Sequence, residues 1–259
     1  MTKIIGIANQ KGGVGKTTTA LNLSSALAHF KRRVLLIDLD PQSDATRGIG
    51  LDPSLLTKSV YDVLANNYDI NKAIKRTPLK FLDILPSSLK LASLDAFLTD
   101  KVIDKTTILR DALKLVKKEY DYVVIDCPPS LGILNFNSMV ASNAILIPVQ
   151  CEYFAMEAVS TTLGAISKIQ RSSNPKLGIE GFLLTMYDPR TRLGTEITTQ
   201  IRGLFKENTF LTTIPRNISI SEASAKGVPV TLFRPSSSGS LAYFSLAREV
   251  IDKEETNKI

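Results

Sequence analysis

Nine residues near the start of the chain, Gln10 to Thr18, read QKGGVGKTT. Gly15, Lys16 and Thr17 close a phosphate-binding loop of the form G-x-x-x-x-G-K-[ST]. The place of its first glycine holds Gln10, and a second lysine, Lys11, follows. In such a loop Gly12, Gly13 and Gly15 let the backbone turn N–H groups, that of Val14 included, onto phosphate oxygens. The helix behind the loop adds free amides and the positive end of its dipole. Lys16 supplies a point charge for the β and γ phosphates, the Thr17 hydroxyl is a Mg2+ ligand, and Thr18 reaches the α phosphate. Lys11, at the other end of the loop, has no part in the ordinary motif.

The metal calls for an acid at the end of another central strand, and VVIDCPPS supplies Asp126. Mg2+ usually keeps several waters, so Asp126 can act through one of them. LLIDLDPQSDAT carries two more acids, Asp38 and Asp40. One of these carboxylates can orient an attacking water for γ-phosphoryl transfer. Asp40 lies just beyond the strand and is the better placed, but spacing alone leaves both open.

These residues need a frame. Lys3 to Asn9 is a short apolar run typical of a buried parallel strand. From Thr17, residues Ala20, Leu21, Leu23, Ser24, Leu27 and Ala28 recur at helical spacing, which predicts an amphipathic helix to about Phe30. Arg33 to Asp38 is a second strand, so the loop sits inside a βαβ unit. Further strands are predicted at Phe81–Ser87, Tyr122–Asp126, Ala144–Gln150, Gly181–Tyr187 and Phe210–Pro215. ILRDALKLVKKEY reads as a helix, and RPSSSGS, Arg234 to Ser240, as a loop before a last helix, SLAYFSLAREVI. Alternating strands and helices imply an α/β fold: one P-loop domain over residues 1–259, its mostly parallel twisted sheet covered by helices on both faces. The polar end from about residue 252 to 259 is expected to fray.

Composition narrows the classes. With 44% hydrophobic and 22% charged residues in 259, the chain can bury a substantial core. No run of about 18 apolar residues exists to span a membrane, and no signal peptide is visible, so a cytoplasmic protein is expected. Net charge of +7 permits nucleic acid or anionic lipid as a partner without requiring either. Cys127 and Cys151 have no C-x-x-C spacing, which argues against zinc or redox chemistry and for small buried hydrophobes. His29, the only histidine, lacks an evident acid partner and reads as structural or exposed.

KGGVGKTT, DLDPQ and DCPPSL together resemble the ParA/MinD group of deviant Walker ATPases. QCEYFAMEAV, MYDPRTRLG and IPRNISISEA narrow the resemblance to the short chromosomal, Soj-like ParA branch, over residues 3 to about 250. The resemblance gives Lys11 a role, that of reaching across a dimer interface to the phosphates of ATP held by the other subunit, so that ATP makes the dimer. It implies Asp40 as the carboxylate that positions the hydrolytic water and Asp126 as the Walker B acid. Pro215, Arg216 and Asn217 lie where the family cradles the adenine, with Met186 nearby. Glu152 matches a position close to the nucleotide at the dimer face. The implied cofactors are ATP and Mg2+, and the implied activity is an ATPase, slow alone and stimulated by a ParB-type centromere-binding partner.

The family divides by surface. Members that dock on membrane end in a basic amphipathic helix, whereas this chain ends with Asp252, Glu254 and Glu255, which anionic lipid would repel. ParA-like members bind DNA without sequence preference, through contacts that depend on salt and carry no base code. Arg190 sits where the family places a DNA-contacting arginine, and Arg192, Arg202, Lys206, Arg216 and Arg234 are its expected neighbours. Relatives often have a basic residue where this chain has Ser219, and proline where it has Ser224, so one phosphate contact is absent. Only two residues of the sequence precede its first strand, so no N-terminal helix-turn-helix domain and no operator binding are expected. A chromosome or plasmid partition switch associated with the nucleoid is the leading expectation. A MinD-like positioning ATPase on membrane or protein cargo is the alternative. A metabolic enzyme on the same scaffold would need a substrate pocket or cluster cysteines that the sequence does not reveal.

Overall fold

Valine, isoleucine and leucine dominate the strand runs, and these residues are buried on both sides of a single sheet. The computed structural model describes residues 2–94, 105–130, 132–152 and 155–256. Leu131 of DCPPSL, Tyr153 and Phe154 of QCEYFAMEAV, and the last three residues of the expected frayed tail lie outside these. The strands are β1 (Lys3–Ile7), β2 (Val34–Asp38), β3 (Lys75–Arg76), β4 (Leu82–Leu85), β5 (Tyr122–Asp126), β6 (Ala144–Gln150) and β7 (Gly178–Thr185). Their spatial order is β3-β4-β2-β5-β1-β6-β7. All pairings are parallel except β3 with β4. Register sets Asp126 beside both Ile7 and Asp38 at the carboxyl edge.

Among the described residues the helices are α1 (Lys16–His29), α2 (Asp44–Gly48), α3 (Val60–Asn66), α4 (Ile70–Ala73), α5 (Ile108–Leu113) and α6 (Ile133–Ala141), then α7 (Ala155–Gln170), α8 (Arg192–Phe205), α9 (Ile218–Ala225), α10 (Val230–Phe233) and α11 (Ser238–Thr256). Alternate strand residues feed two cores. Leu35, Ile37, Val123 and Ile125 pack with α3, α6 and α7 on one face. Ile5, Leu36 and Val124 pack with α1 and α11 on the other. The α1 helix is buried nearly all round instead of on one stripe, because α10 and α11 cover its outer side. Its polar residues therefore need partners: Asn22 donates to Thr18 O at 2.8 Å and accepts from Val230 N–H at 2.7 Å. Ser25 shares a 2.6 Å hydrogen bond with Thr231.

Four further expectations change. Phe210–Pro215 forms only isolated bridges beside β7, at Phe182 with Thr209 and Tyr187 with Pro215. Pro215 has no N–H to give, and the amides of Leu211 and Thr212 go to the Glu249 carboxylate at 2.8 and 2.6 Å instead of to a ladder. The helix read from ILRDALKLVKKEY stops at Leu113, where Asn71 takes over the backbone by donating to Leu115 O and accepting from Lys117 N–H, both at 2.9 Å. β7 begins three residues early and ends before Met186, which turns into the left-handed region at φ 51°. The last helix starts inside the expected loop, at Ser238, and stays helical through residues 252–256, held by Arg32–Glu255 at 2.6 Å and by Lys253 on Glu180 O at 2.6 Å.

Candidate functional site

The loop leaves β1 and re-enters the fold as α1. Gly13 and Gly15 take φ of 73° and 88°, a region closed to most side chains, and this is what turns the loop's amides inward. Gly15 caps α1 with no side chain, so the first amides of the helix are left for a ligand. On the outside of the loop, the Val14 carbonyl accepts a 2.9 Å hydrogen bond from the Thr185 hydroxyl at the end of β7. Thr185 is not evident from the sequence, since nothing near it signals phosphate chemistry.

The two lysines point to different places. Lys16 is buried and donates to Lys11 O at 2.9 Å, inside the loop. Burial lowers its pKa, against the pull of Asp126, Cys127 and Asp40. Lys11 Nζ instead leaves the loop for Glu152, at 3.1 Å. Glu152 also accepts from Gln150 Nε2 at 2.5 Å and is about half exposed, 48%.

The acids are equally distinct. Asp38 is fully buried; its oxygens accept from Asp40 N–H at 3.1 Å, Thr46 N–H at 2.8 Å and the Thr46 hydroxyl at 2.7 Å. Burial pushes it up to about 7 despite those bonds. Asp40 is half-buried, and its carboxylate accepts from Gln42 N–H at 2.9 Å. Ser87 donates to Asp40 O at 2.6 Å, and its N–H donates to the Thr46 hydroxyl at 3.0 Å. The two acids that spacing left open thus differ: Asp38 is buried and its oxygens are taken up by Asp40 N–H and Thr46, while Asp40 is half-buried on a turn braced by Ser87 and near enough to Lys16 to act on its charge. Thr46 and Ser87 escape the sequence reading, although Thr46 lies within the same LLIDLDPQSDAT stretch.

Asp126 is also fully buried, yet neither carboxylate oxygen has a well-formed hydrogen bond. Burial raises its pKa well above the carboxylate range, and the neighbouring Asp38 adds to this; the Thr17 hydroxyl and Lys16 pull the other way. An orphaned buried acid beside a hydroxyl and an ammonium fits a cation such as Mg2+, whose charge inverts the local pKa balance. Thr17 and Asp126 would hold it together with phosphate oxygens and water.

Beside the loop lies a cavity of 430 Å³ lined by Gly15, Thr18, Met186, Pro215, Arg216 and Asn217, among others. The size suits a nucleoside, so the structure brings these predicted residues together. Asn217 is already engaged: it caps α9 by accepting from Ser219 N–H at 2.9 Å and donates to Ser238 at 2.8 Å. A second cavity, of 450 Å³, shares Met186 and Arg216 and adds Cys151, Glu152 and Asp188.

The basic candidates are held by different partners. Arg190 pairs with its own Asp188 through Nε and Nη2, at 2.9 and 2.7 Å, and this pairing holds the Asp188 carboxyl at about 2. Arg192 pairs with Glu196 at 2.7 Å. Arg202 and Lys206 lie at the far end of α8, where Arg202 donates to Leu211 O at 3.0 Å beside Glu249 and Asp252. Arg234 pairs with Glu222 at 3.0 Å and reaches Ser219 Oγ at 3.4 Å, bringing a cation to the neighbourhood where the sequence lacks one. Ser224 donates back to Ile220 O at 3.0 Å within its own helix and lines the 430 Å³ cavity.

Both cysteines are free. Cys127 is buried against Ser138 and Cys151 is half-buried near Thr198. His29 packs its ring on Phe244, 4.7 Å between centroids.

Comparison with known proteins follows the same lines. A family described as AAA domain matches residues 2–179. The sporulation initiation inhibitor protein Soj of Bacillus subtilis is 45% identical over 250 residues, covering 96% of this chain and 98% of that protein. The chromosome-partitioning ATPase Soj of Treponema pallidum is 41% identical, with 98% and 99% covered. A crystal structure of cobyrinic acid a,c-diamide synthase from Mycobacterium smegmatis with bound ADP and magnesium superposes with a TM-score of 0.87 at 34% identity, covering 99% of this chain and 97% of that one.

Proposed function

The chain belongs to the ParA/Soj family of partition ATPases, and from that premise we propose a nucleotide-gated DNA switch. The protein hydrolyses ATP with Mg2+. Glycine-loop amides and Lys16 hold the phosphates, and the cavity from Gly15 to Asn217 takes the nucleoside. Thr17 and Asp126, the latter through water, would hold Mg2+, which would supply charge neutralisation at the phosphate oxygens. Asp40 orients the attacking water and accepts its proton. Lys11 leaves Glu152 and reaches the phosphates of ATP in a second copy, so two nucleotides are sandwiched in a homodimer. The dimer binds duplex DNA without sequence preference through Arg190, Arg192, Arg202, Lys206, Arg216 and Arg234. A ParB-type partner stimulates hydrolysis and releases it from the nucleoid.

One observation carries this reading: Lys11 and Lys16 belong to one loop but turn in opposite directions, the first outward and the second inward. A cation supplied from outside stabilises transition-state charge only when its anion is assembled against it. The MinD-like alternative gains nothing from the last helix, because α11 buries Tyr243, Leu246, Ala247 and Val250 in the core. No helix among the described residues is long and apolar enough to cross a membrane.

The test is duplex DNA binding with no nucleotide, with ADP and with ATP, for the parent, Asp40→Ala, Lys11→Ala and Arg190→Glu. Binding only with ATP, held longest by Asp40→Ala and lost in the other two, supports the switch. No DNA binding in any state leaves the ATPase and sends the search to another cargo. Fast turnover that ignores DNA and partner rejects the cycle.

A further inference from the structure

At the amino edge of the sheet, opposite the phosphate loop, lies a cavity of 350 Å³. It opens where β2 and β4 begin, about 15 Å along the strands from Asp38. Its aromatic walls are Phe81, Phe244 and the ring of His29. Ser25 and Thr231, joined by their buried hydrogen bond, supply hydroxyls. Lys31 and Lys80 are exposed at its margin, with Lys80 Nζ 5.1 Å from the Phe81 ring centre. No carboxylate stands among the described residues that line it.

Two of these residues occupy backbone positions that disfavour them. Lys31 has φ 59° and Phe81 has φ 72°. Lys31 ends α1 in a Schellman turn, with its N–H on Ala28 O at 2.9 Å and that of Arg32 on Leu27 O at 3.1 Å. The left-handed residue of that turn is usually glycine, which adopts it without strain. A bulky aromatic at positive φ, as at Phe81, is rarer still. Both strained side chains line the same cavity, one bringing a cation and the other a ring. Strain of this kind concentrates at ligand sites.

We infer that this cavity is a second ligand site, separate from the nucleotide site, for a small planar aromatic anion: a ring carrying a carboxylate, sulfonate or phosphate. The ring lies among Phe81, Phe244 and His29, where offset and edge contacts favour it. The anionic group meets Lys31 and Lys80, and its remaining acceptors meet the hydroxyls.

His29 is the chain's only histidine, so its ring resonances report on this cavity alone. The experiment uses labelled full-length protein saturated with Mg-ADP, which fills the first site. Naphthalene-1-sulfonate is titrated in while the His29 ring signals are followed by NMR. A saturable one-to-one shift is expected, weakened at least tenfold in the Lys31→Glu/Lys80→Glu double variant. Uncharged naphthalene-1-methanol should bind at least tenfold more weakly than the sulfonate. Lys31→Gly is the decisive variant, because it removes a cation and relieves the backbone. It should weaken the probe while leaving the melting temperature equal or higher, whereas a lysine that serves only the fold would leave probe affinity unchanged. No saturable shift in the parent protein, equal affinity in the double variant or in Lys31→Gly, or equal binding of the uncharged ring overturns the site.

Discussion

The carboxyl edge of the sheet and the flank of α8 both concentrate charge, but they hold it differently. At the edge, Lys16, Asp38 and Asp126 are all buried, and their pKa values move because water has been taken away. On the flank, the side chains of Arg190 and Arg192 are 86% and 93% exposed and each is answered by its own acid. Charge buried without full pairing is costly and therefore poised for a ligand that supplies the missing partner. Exposed pairs are worth little to stability and can exchange one anion for another cheaply. The edge suits one ligand in one pose; on the proposed function, the flank would offer weak, exchangeable contacts to a polyanion.

The largest effect should come from Asp126→Asn. Burying Asp126 beside Asp38 opposes its ionisation and makes it take up a proton on folding; the amide has no such cost and should raise the melting temperature of the nucleotide-free protein, by about 2–4 °C for each kcal/mol relieved. It should also lower ATP turnover by a factor on the order of 100 or more, as loss of a transition-state electrostatic group does. A calorimetric scan and a steady-state assay check the two halves, and a variant that loses stability would reverse the account of the edge. Asp40→Ala comes next: turnover falls by roughly 100-fold or more, the scale of a lost general base, while ATP binding by equilibrium titration is unchanged. A matching loss of affinity would mean that Asp40 holds nucleotide instead of water.

The flank should respond more gently. Arg190→Ala should reduce the salt slope of DNA binding by about one and weaken binding evenly across sequences. Asp188→Asn should do the opposite, strengthening DNA binding a few-fold, because the phosphate no longer competes with a carboxylate for Arg190. Asp188 is held at about 2, so this competition persists unchanged from pH 5 to 9. If both variants weaken binding alike, the pair supports the fold of the loop and not the contact.

Each region also carries its own cysteine, which gives the smallest readout. Burial pushes Cys127 up to about 12, so iodoacetamide at pH 8 should leave it unmodified in the folded protein. Cys151, half-buried on the flank cavity, should react slowly but first. Mass spectrometry of timed aliquots distinguishes them, and early modification of Cys127 would show that the edge opens readily.

Local patterns made the edge legible. Glycine spacing, strand-terminal acids and buried apolar runs depend only on near neighbours in sequence, and the structure places Lys16, Asp40 and Asp126 together at one sheet edge. What stayed hidden depends on distant segments. The burial of Asn22 and Ser25 requires α10 and α11, some two hundred residues later. Thr185 meets Val14 across 171 positions. Phe210–Pro215 has strand composition, and only the placement of Glu249 explains why its amides pair elsewhere. The flank was legible as a set of arginines but not as a surface, since the acids that answer them decide which charges are available.

The packing of α1 against α11 sets an order of events during synthesis. The helix that carries the phosphate loop is made early, but its outer cover is residues 238–256. At roughly 5–20 residues per second, a ribosome needs about ten to forty seconds to reach that segment. For that interval the loop's helix shows solvent a face meant for a core. The loop's helix is therefore covered only once residues 238–256 have been made, and chains cut before that segment should be clients for chaperones and not partial enzymes.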